Sequence, residues 1–198
     1  MNFFIGGSPC SGKSTVCDAL AVRHGLRSYH CDQYYDAHLS RARSGSSLAQ
    51  YQQLSWHDAF TTRSLERMIA DELAVNRELS AFALEDVLAI DAPVIAEGMP
   101  FLPDVMAALQ PRANAVYLVP SAAFQRDHYA KRDWAQGLLA STSDPTGVFE
   151  RWMARDAAAA VFIRARATAL GFAVLEVDGG LSMEQTIEWC EQQLGLTR

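Results

Sequence analysis

The residues Gly7 to Ser14 have the spacing G-x-x-x-x-G-K-[ST], which is typical of a loop that binds phosphate groups. Glycine lets the backbone approach a phosphate without a Cβ atom in the way, and the loop N–H groups face the anion together with the positive end of the following helix. Lys13 would add a charge for the β- and γ-phosphates, and Ser14 a hydroxyl for Mg²⁺. The pattern predicts a phosphate-binding loop made of Gly7, Ser8, Pro9, Cys10, Ser11, Gly12, Lys13, Ser14 and Thr15.

The residues on either side of the loop fit this interpretation, because the apolar run 2–5 predicts a buried strand and residues 15–23 predict a helix. An ordinary glycine-rich turn is the alternative, and chance rarely supplies the strand and the helix with it. Thr15 could cap the helix as well as contact a ligand. Cys10 stands at a variable position of the pattern, so we interpret it as a tolerated small residue rather than a nucleophile.

Two carboxylates follow predicted strands. Asp32 comes directly after the strand 27–31, and Glu97 follows the apolar run 94–96. Asp32 could accept the proton of a hydroxyl substrate or orient water on Mg²⁺, and its structural alternative is a helix N-cap. Glu97 could serve Mg²⁺ through water or hold the substrate, and its alternative is a hydrogen bond to neighbouring loop N–H groups. Tyr35 could stack on a substrate ring or pack beneath a loop.

Basic side chains occur on two predicted helices in the second half of the chain. Arg126 and Arg132 belong to the first helix and Arg155 to the second, with a loop of Gly, Ser and Pro residues at 137–147 between them. Arginine is suited to stabilise charge on the oxygens of a transferred phosphoryl group. We therefore predict a helical lid over residues 126–155 that closes over the phosphates. A solvated face with exposed ion pairs is the alternative.

The order of the predicted elements favours an α/β fold. Short apolar runs predict five strands, at residues 2–5, 27–31, 93–97, 114–119 and 172–177. Helical patterns lie between them, over 58–90 and 145–170, and a last helix begins with Ser182 and Gln185 at capping-box spacing. Alternating strands and helices predict a parallel sheet with helices on both faces and a ligand site at the carboxyl ends of the strands.

Composition limits the classes of function. The chain has 198 residues, and we expect a single domain over 1–198. The net charge of −6 leaves no basic footprint, so we expect no nucleic-acid partner. The cysteines lack zinc or C-x-x-C spacing, which is typical of free thiols in a reducing compartment. No segment approaches about 18 apolar residues and the first strand leaves no room for a signal peptide, so we expect no membrane contact and a cytoplasmic location.

Together, the phosphate loop, Asp32, Glu97-Gly98 and the arginine-flanked lid resemble the P-loop kinases, the superfamily of nucleoside, nucleotide and small-molecule kinases. Glu97-Gly98 is similar to the pair that uridine kinase-like members carry after the third strand, and Arg155-Asp156 to the post-lid arginine of nucleoside monophosphate kinases. The resemblance covers essentially the whole chain by order of elements, and only the phosphate loop is individually specific. The strand 114–119 is followed by Pro120 and not by the acid of the motor ATPases.

The resemblance implies a three-layer P-loop fold with a five-stranded parallel sheet of order 2-3-1-4-5 and a helical lid. It also implies ATP as the donor, Mg²⁺ as the cofactor, and transfer to a hydroxyl or phosphate of a small molecule. Lys13 would bind the triphosphate and Asp32 would be the acceptor base. The lid charges would be Arg126, Arg132 and Arg155, and the metal would be served by Ser14, Asp32 and Glu97.

Choice of the acceptor would lie in the helical region 33–90, which matches no subfamily. The candidate acceptor contacts are Asp32, Tyr35, Arg41, Arg43 and Glu97. Arg41 and Arg43 could hold an anionic acceptor, such as a phosphorylated one. If these two arginines face solvent, a neutral hydroxyl acceptor such as a nucleoside, a sugar or an antibiotic is favoured.

A regulatory ATPase switch that acts on a protein partner is the competing function. Motor-type ATPases usually need an acid after an apolar strand, and this chain lacks it. A GTPase is disfavoured because the chain has no N-K-x-D motif to read the base. A kinase should hydrolyse ATP slowly unless one class of small molecule is present, whereas a switch should respond to a protein. The oligomeric state is left open.

Overall fold

The computed structural model of the protein describes residues 1–109 and 112–196. The strands within them are β1 Phe3–Gly6, β2 Arg27–His30, β3 Val94–Glu97, β4 Asn114–Pro120 and β5 Ala173–Val177. They pair in parallel, in the order β2-β3-β1-β4-β5. The predicted strands and their order are therefore confirmed, with boundaries that shift by about one residue.

Helices connect consecutive strands and cover the sheet. They are α1 Lys13–His24, α2 Tyr35–Leu39, α3 Ser47–Gln52, α4 Trp56–Thr61, α5 Leu65–Ala89, α6 Pro103–Ala108, α7 Ala122–Tyr129, α8 Asp133–Ala140, α9 Pro145–Ala169 and α10 Met183–Gln193. A short 3-10 helix, Cys31–Tyr34, follows β2. The connections after β2 and β4 are the long ones, and they supply the acceptor region and the lid segment of the prediction.

Two helix boundaries differ from the prediction. The pattern over 58–90 is divided into α4 and α5, because the Ser64 side chain accepts a backbone N–H and caps a new helix. The predicted loop 137–147 is shorter than expected, because α8 continues to Ala140 and Pro145 already begins α9. Most of the lid segment is therefore helical.

The sheet buries both faces, as the near-continuous apolar strands of a parallel sheet require. Successive side chains point to opposite faces. Phe4 and Tyr117 pack on one face against α5, α6 and α9. Ile5 and Leu118 pack on the other face against α1 and α10. The result is the predicted three-layer α/β fold.

An aromatic cluster joins α4, α7, α8 and α9, and consists of Trp56, Phe60, Tyr129, Trp134 and Trp152. Trp152 is its centre: the centroid of its ring lies 4.8 Å from that of Tyr129 and 4.9 Å from that of Trp56. Aromatic pairs at such distances stabilise a fold by about 0.5–1.5 kcal/mol beyond the area that they bury. The cluster therefore attaches the lid segment to the acceptor region.

Three smaller predictions can be compared with the structure. No helix in the described residues has the length and apolarity to cross a bilayer. The four cysteines are buried and free, as their spacing predicts. The capping box is present, because the Ser182 hydroxyl accepts the Gln185 N–H and the Gln185 side chain accepts the Ser182 N–H.

Candidate active site

The predicted phosphate-binding loop joins the end of β1 to the start of α1. Gly7 lies against β4, where a Cβ atom would come within 1.9 Å of the Leu118 carbonyl oxygen, so only glycine fits. Cys10 has a φ of 67°, a left-handed conformation that costs a residue with a Cβ atom energy and is concentrated at functional loops. The loop ends at the N-terminus of α1, where the helix dipole favours an anion.

Lys13 is the first residue of α1 and has 9% of its surface exposed. Its Nζ donates a hydrogen bond to the Ser8 carbonyl oxygen at 2.9 Å, so the ammonium folds over the loop. Burial lowers the pKa of Lys13, and the charges of Glu97 and Asp32 oppose that shift. A buried cation gains more from a charged oxygen than from a carbonyl, so a phosphate at this place would be the better partner for Lys13.

Glu97 reaches the loop because β3 pairs with β1 in a register that places it beside Ile5. Its Oε1 accepts a hydrogen bond from the Ser14 hydroxyl at 3.0 Å. The same oxygen lies 3.0 Å from Nδ1 of His30, whose Nε2 lies 2.9 Å from Oδ1 of Asp18. The hydrogen-bond partners of the Glu97 carboxylate are therefore side chains. The structural alternative was a hydrogen bond to neighbouring loop N–H groups.

Asp32 lies between two neighbouring cavities at the carboxyl end of the sheet. The first, here called the loop cavity, has a volume of about 330 Å³ and is lined by the phosphate loop, Glu97 and Arg132. The second, here called the α5 cavity, has a volume of about 180 Å³. Asp32 lines both cavities, together with Pro9 and Met99. It occupies the first turn of the 3-10 helix, after the N-cap residue His30, so the N-cap alternative is wrong.

The α5 cavity is bounded by the 3-10 helix, α2, α3 and α5. Helix α5 contributes two polar side chains, Glu72 and Asn76, beside Val75 and Leu79. The other lining residues are Pro9, Cys31, Asp32, Tyr35, His38, Tyr51, Met99 and Pro100. The cavity has room for a small molecule and shares the lining residue Asp32 with the loop cavity.

The three predicted lid arginines have different surroundings. Arg132 lines the loop cavity, and its guanidinium stacks over the ring of Tyr129 at 5.2 Å. Arg126 pairs with Glu150, 24 residues further along the chain. Arg155 is buried and pairs with Asp156 at 2.7 Å and with Glu72 at 3.1 Å. Burial would lower the pKa of Arg155, but these two carboxylates outweigh it and raise the pKa.

No protein-family model and no curated protein match this sequence. Solved structures do match the fold. The shikimate kinase of Bacteroides thetaiotaomicron is 15% identical, with a TM-score of 0.55 over 99% of this chain and 97% of that chain. The shikimate kinase of Acinetobacter baumannii, solved with shikimate, is 17% identical, with a TM-score of 0.53 over 99% and 94% of the two chains. The deoxyadenosine kinase of M. mycoides with bound dATP is 14% identical, with a TM-score of 0.51 over 98% and 100%.

The fold is that of the P-loop small-molecule kinases. This confirms the resemblance inferred from the phosphate loop and the order of elements. Because the identities are low, the likeness concerns the fold, and the roles of individual residues depend on the geometry of this chain. In this chain the predicted phosphate-binding loop follows β1, the central strand of the parallel sheet, at its carboxyl end.

Within this P-loop kinase fold, most of the predicted site residues come together. Lys13, Ser14, Glu97 and Arg132 line the loop cavity with Asp32. Of the predicted loop residues, Pro9, Cys10, Ser11, Gly12 and Thr15 line it as well. Gly7 and Ser8 are buried behind these residues. Burial raises the pKa of the Cys10 thiol, which fits a structural residue better than a nucleophile.

Two predicted acceptor contacts are not brought to the cavities. Arg41 pairs with Glu85 and Asp86, and its guanidinium lies 4.3 Å above the ring of Phe82. Arg43 is exposed. Neither arginine is among the residues that line the α5 cavity or the loop cavity. The reason for Arg41 is its ion pairs with Glu85 and Asp86 of α5, which hold its guanidinium outside the cavity lining.

The prediction did not include the side chains that α5 contributes. Glu72 and Asn76 lie on the same helix face as Met68 and Leu79, at spacings of about one turn. A carboxylate and an amide that interrupt an apolar stripe are a readable signal, because polar groups on a buried face need a partner or a ligand.

Proposed function

We propose that this protein is an ATP- and Mg²⁺-dependent phosphotransferase that acts on a hydroxyl or phosphate of a small molecule. The proposal treats residues 1–198 as one kinase domain, with residues 33–90 as the acceptor-binding region and 126–155 as the lid. The fold shared with shikimate and deoxyadenosine kinases supports it. Those neighbours carry shikimate and dATP, which supports a small-molecule acceptor and a nucleotide for this chain.

The position of Asp32 is the observation that carries the proposal. A phosphoryl transfer needs a donor site and an acceptor site that meet at the reacting oxygen. The loop cavity and the α5 cavity meet at Asp32, which is exposed to both. An aspartate at such a junction is within reach of an acceptor hydroxyl and can accept its proton.

The loop cavity suits a nucleotide triphosphate with Mg²⁺. Lys13 and the N-terminus of α1 offer positive charge, and Gly7 lets the loop pack closely against β4 beneath that site. Within residues 1–109 and 112–196, no group of three or more His, Cys, Asp or Glu side chains is arranged to hold a metal alone. That agrees with Mg²⁺, which commonly keeps waters and shares phosphate oxygens while one or two protein groups orient it.

The residues have distinct tasks in this proposal. Bound ATP and Mg²⁺ supply the phosphoryl group and neutralise part of its charge. Ser14, Glu97 and Asp32 would serve the metal directly or through water, and Asp32 would also take the acceptor proton. Lys13 and Arg132 hold the phosphate oxygens. Arg126 and Arg155 stay proposed lid charges. Arg126 would have to exchange Glu150 for a phosphate, and Arg155 would have to exchange Glu72 or Asp156.

The test is release of ADP from ATP and Mg²⁺ across nucleosides, nucleoside monophosphates, sugars, sugar acids, shikimate and aminoglycosides. Strong stimulation by one class, with a phosphorylated product identified by mass spectrometry, would support the kinase. Firm ATP binding without stimulation by any compound would argue against it and favour the regulatory ATPase switch. A protein partner that accelerates hydrolysis would then be sought.

A further inference from the structure

We propose that the acceptor of this phosphotransferase is a hydroxyl compound without negative charge, which donates hydrogen bonds from hydroxyl or amino groups to Glu72 and Asn76. The inference rests on the proposed function and names the class of its acceptor. It follows from the charges and hydrogen-bonding groups of the α5 cavity.

The charged groups that line the α5 cavity are mainly carboxylates. Asp32 and Glu72 line it, and among the described residues neither a lysine nor an arginine does. An anionic acceptor would therefore meet the charge of Asp32, and a Glu72 carboxylate whose charge Arg155 compensates only in part, and such like charges disfavour its binding. A bound ATP in the loop cavity would add further negative charge beside it.

Two basic side chains at this cavity, Arg155 and His38, already have carboxylate partners. Arg155, behind Glu72, pairs with the buried Asp156 at 2.7 Å as well as with Glu72. His38 lines the cavity, and its Nε2 lies 2.7 Å from Oδ2 of Asp86. To bind an acidic acceptor, Arg155 would have to leave Asp156 or Glu72 without its present partner, and an unpaired buried carboxylate is costly.

The polar side chains of α5 offer hydrogen-bond acceptors to the cavity. Asn76 is 6% exposed, and its amide nitrogen donates to the carbonyl oxygen of Glu72 at 2.9 Å and to Oε1 of Glu72 at 3.2 Å. Among the described residues, its carbonyl oxygen has no donor. This oxygen is not one of the fully buried polar atoms without a partner, so it stays accessible to a hydroxyl or amino group of a ligand.

Glu72 is the second acceptor and has 16% of its side chain exposed. Its Oε2 pairs with Arg155 and its Oε1 accepts from Asn76, and each carboxylate oxygen has a further lone pair. Burial raises the pKa of Glu72, against the opposing charge of Arg155. A donor from the ligand would compensate the carboxylate, whereas a second anion would not. Beside Glu72 and Asn76, the side chains of Val75 and Leu79 make an apolar floor.

The first experiment compares acceptors that differ in charge on similar scaffolds, with the wild-type protein, ATP and Mg²⁺. The first set contains the sugars glucosamine, glucose and glucuronate. The second contains adenosine and adenosine monophosphate, with the other nucleosides and their monophosphates. The third contains the cationic kanamycin and the acidic quinate and shikimate. Phosphorylation confined to neutral or cationic members supports the inference. Preference for an acidic member overturns it and leaves the kinase in place. Phosphorylation of none overturns the kinase proposal, and this inference with it.

The second experiment uses Glu72→Gln with the acceptor found by the panel. We expect its KM for the acceptor to rise about tenfold, with the KM for ATP within about twofold of wild type, because the lost bond is to a charged group in the acceptor cavity alone. Asn76→Leu, which keeps the volume and removes the oxygen, should behave alike. Glu85→Gln is the matched control, since Glu85 lies on the same helix and pairs with Arg41 outside the cavity. An unchanged acceptor KM in folded Glu72→Gln and Asn76→Leu would overturn the assignment.

Discussion

His30 Nδ1 lies 3.0 Å from Oε1 of Glu97, the oxygen that also accepts the hydrogen bond of the Ser14 hydroxyl. Burial alone would lower the pKa of His30, but the hydrogen bond and charge of Glu97 and the charge of Asp18 outweigh burial and raise it. The imidazolium form donates from both nitrogens, to Glu97 and to Asp18. His30 therefore fixes the direction in which Glu97 presents its carboxylate to the loop.

Replacing His30 by Gln should lower kcat about tenfold or more while the KM for ATP changes little, because Glu97 is proposed to serve the metal and partners that orient such a carboxylate typically contribute 10- to 100-fold. Steady-state kinetics with the acceptor identified by the panel measures both constants. His24→Gln is the matched control, since His24 is the last residue of α1 and pairs with Glu191 of α10. Equal effects of the two substitutions would contradict a positioning role for His30.

Replacing Lys13 by Ala should remove most activity, by a factor of about 100 or more, because Lys13 is the buried cation of the phosphate loop. The fold should survive, with a thermal midpoint within about 5 °C of wild type, because the substitution removes a buried charge that folding has to desolvate. Arg164→Ala, at an exposed pair with Glu176, is the control for loss of a positive charge. Unchanged turnover in Lys13→Ala would refute the assignment of the phosphate loop.

Replacing Asp32 by Asn should lower kcat by about 10²–10⁴ and leave ATP affinity nearly intact, because the amide keeps the shape and cannot take a proton. ATP affinity is measured by calorimetry and kcat by ADP release. Asp36→Asn, at an exposed position of α2 away from both cavities, should have little effect. If kcat and ATP affinity fall together, Asp32 serves the metal or the structure rather than the proton transfer.

Arg132→Ala should reduce kcat by about 10²–10³, and Arg126→Ala by much less. Arg132 already lines the loop cavity, whereas Arg126 is engaged with Glu150. Comparing the two losses in kcat tests whether Arg132 acts on the phosphates while Arg126 stays paired with Glu150. Losses of equal size would mean that Arg126 leaves Glu150 during the reaction, and Glu150→Gln should then increase the rate.

The pair of Asp104 and Arg166 predicts a small dependence of stability on acid. The hydrogen bond from Arg166 lowers the pKa of Asp104, so the pair stabilises the fold above the ordinary pKa of Asp, near 4, and the contribution is lost as the pH falls through the lowered value. Asp104→Asn should cost less than about 1 kcal/mol at neutral pH, because both side chains are partly exposed. The difference from wild type should vanish near pH 2, measured by urea unfolding. A difference that grows in acid would contradict this assignment, and Asp91→Asn is the exposed control.

The sheet and the phosphate loop could be predicted because their signals are local. Strand β1 and the glycine pattern after it are read within a dozen residues, and parallel pairing of β1 with β3 then brings Glu97 to Ser14. Ligand sites of parallel sheets lie at the carboxyl ends of the strands, so the residues that follow each strand are the candidates for the site. Asp32 and Glu97 were located for that reason, without knowledge of any contact.

The partners of the arginines could not be predicted in the same way. Arg155 and Glu72 are far apart in sequence and meet because α5 and α9 pack side by side. The same packing sets the rotation of α5 about its own axis. A change in that rotation of less than one turn would move Glu72 and Asn76 away from the cavity. Sequence periodicity predicts that a helix has an apolar face. It does not fix the rotation of the helix about its axis when half-buried residues flank that apolar stripe.

The aromatic cluster gives this protein an intrinsic optical reporter. The protein has four tryptophans. Three of them, Trp56, Trp134 and Trp152, belong to the cluster, and the fourth, Trp189, lies elsewhere. The guanidinium of Arg132 lies 5.9 Å from the exposed ring of Trp134. A phosphate that draws Arg132 toward the loop must alter the surroundings of that indole, so the emission spectrum should report phosphate binding, and any closing of the proposed lid, without an attached dye.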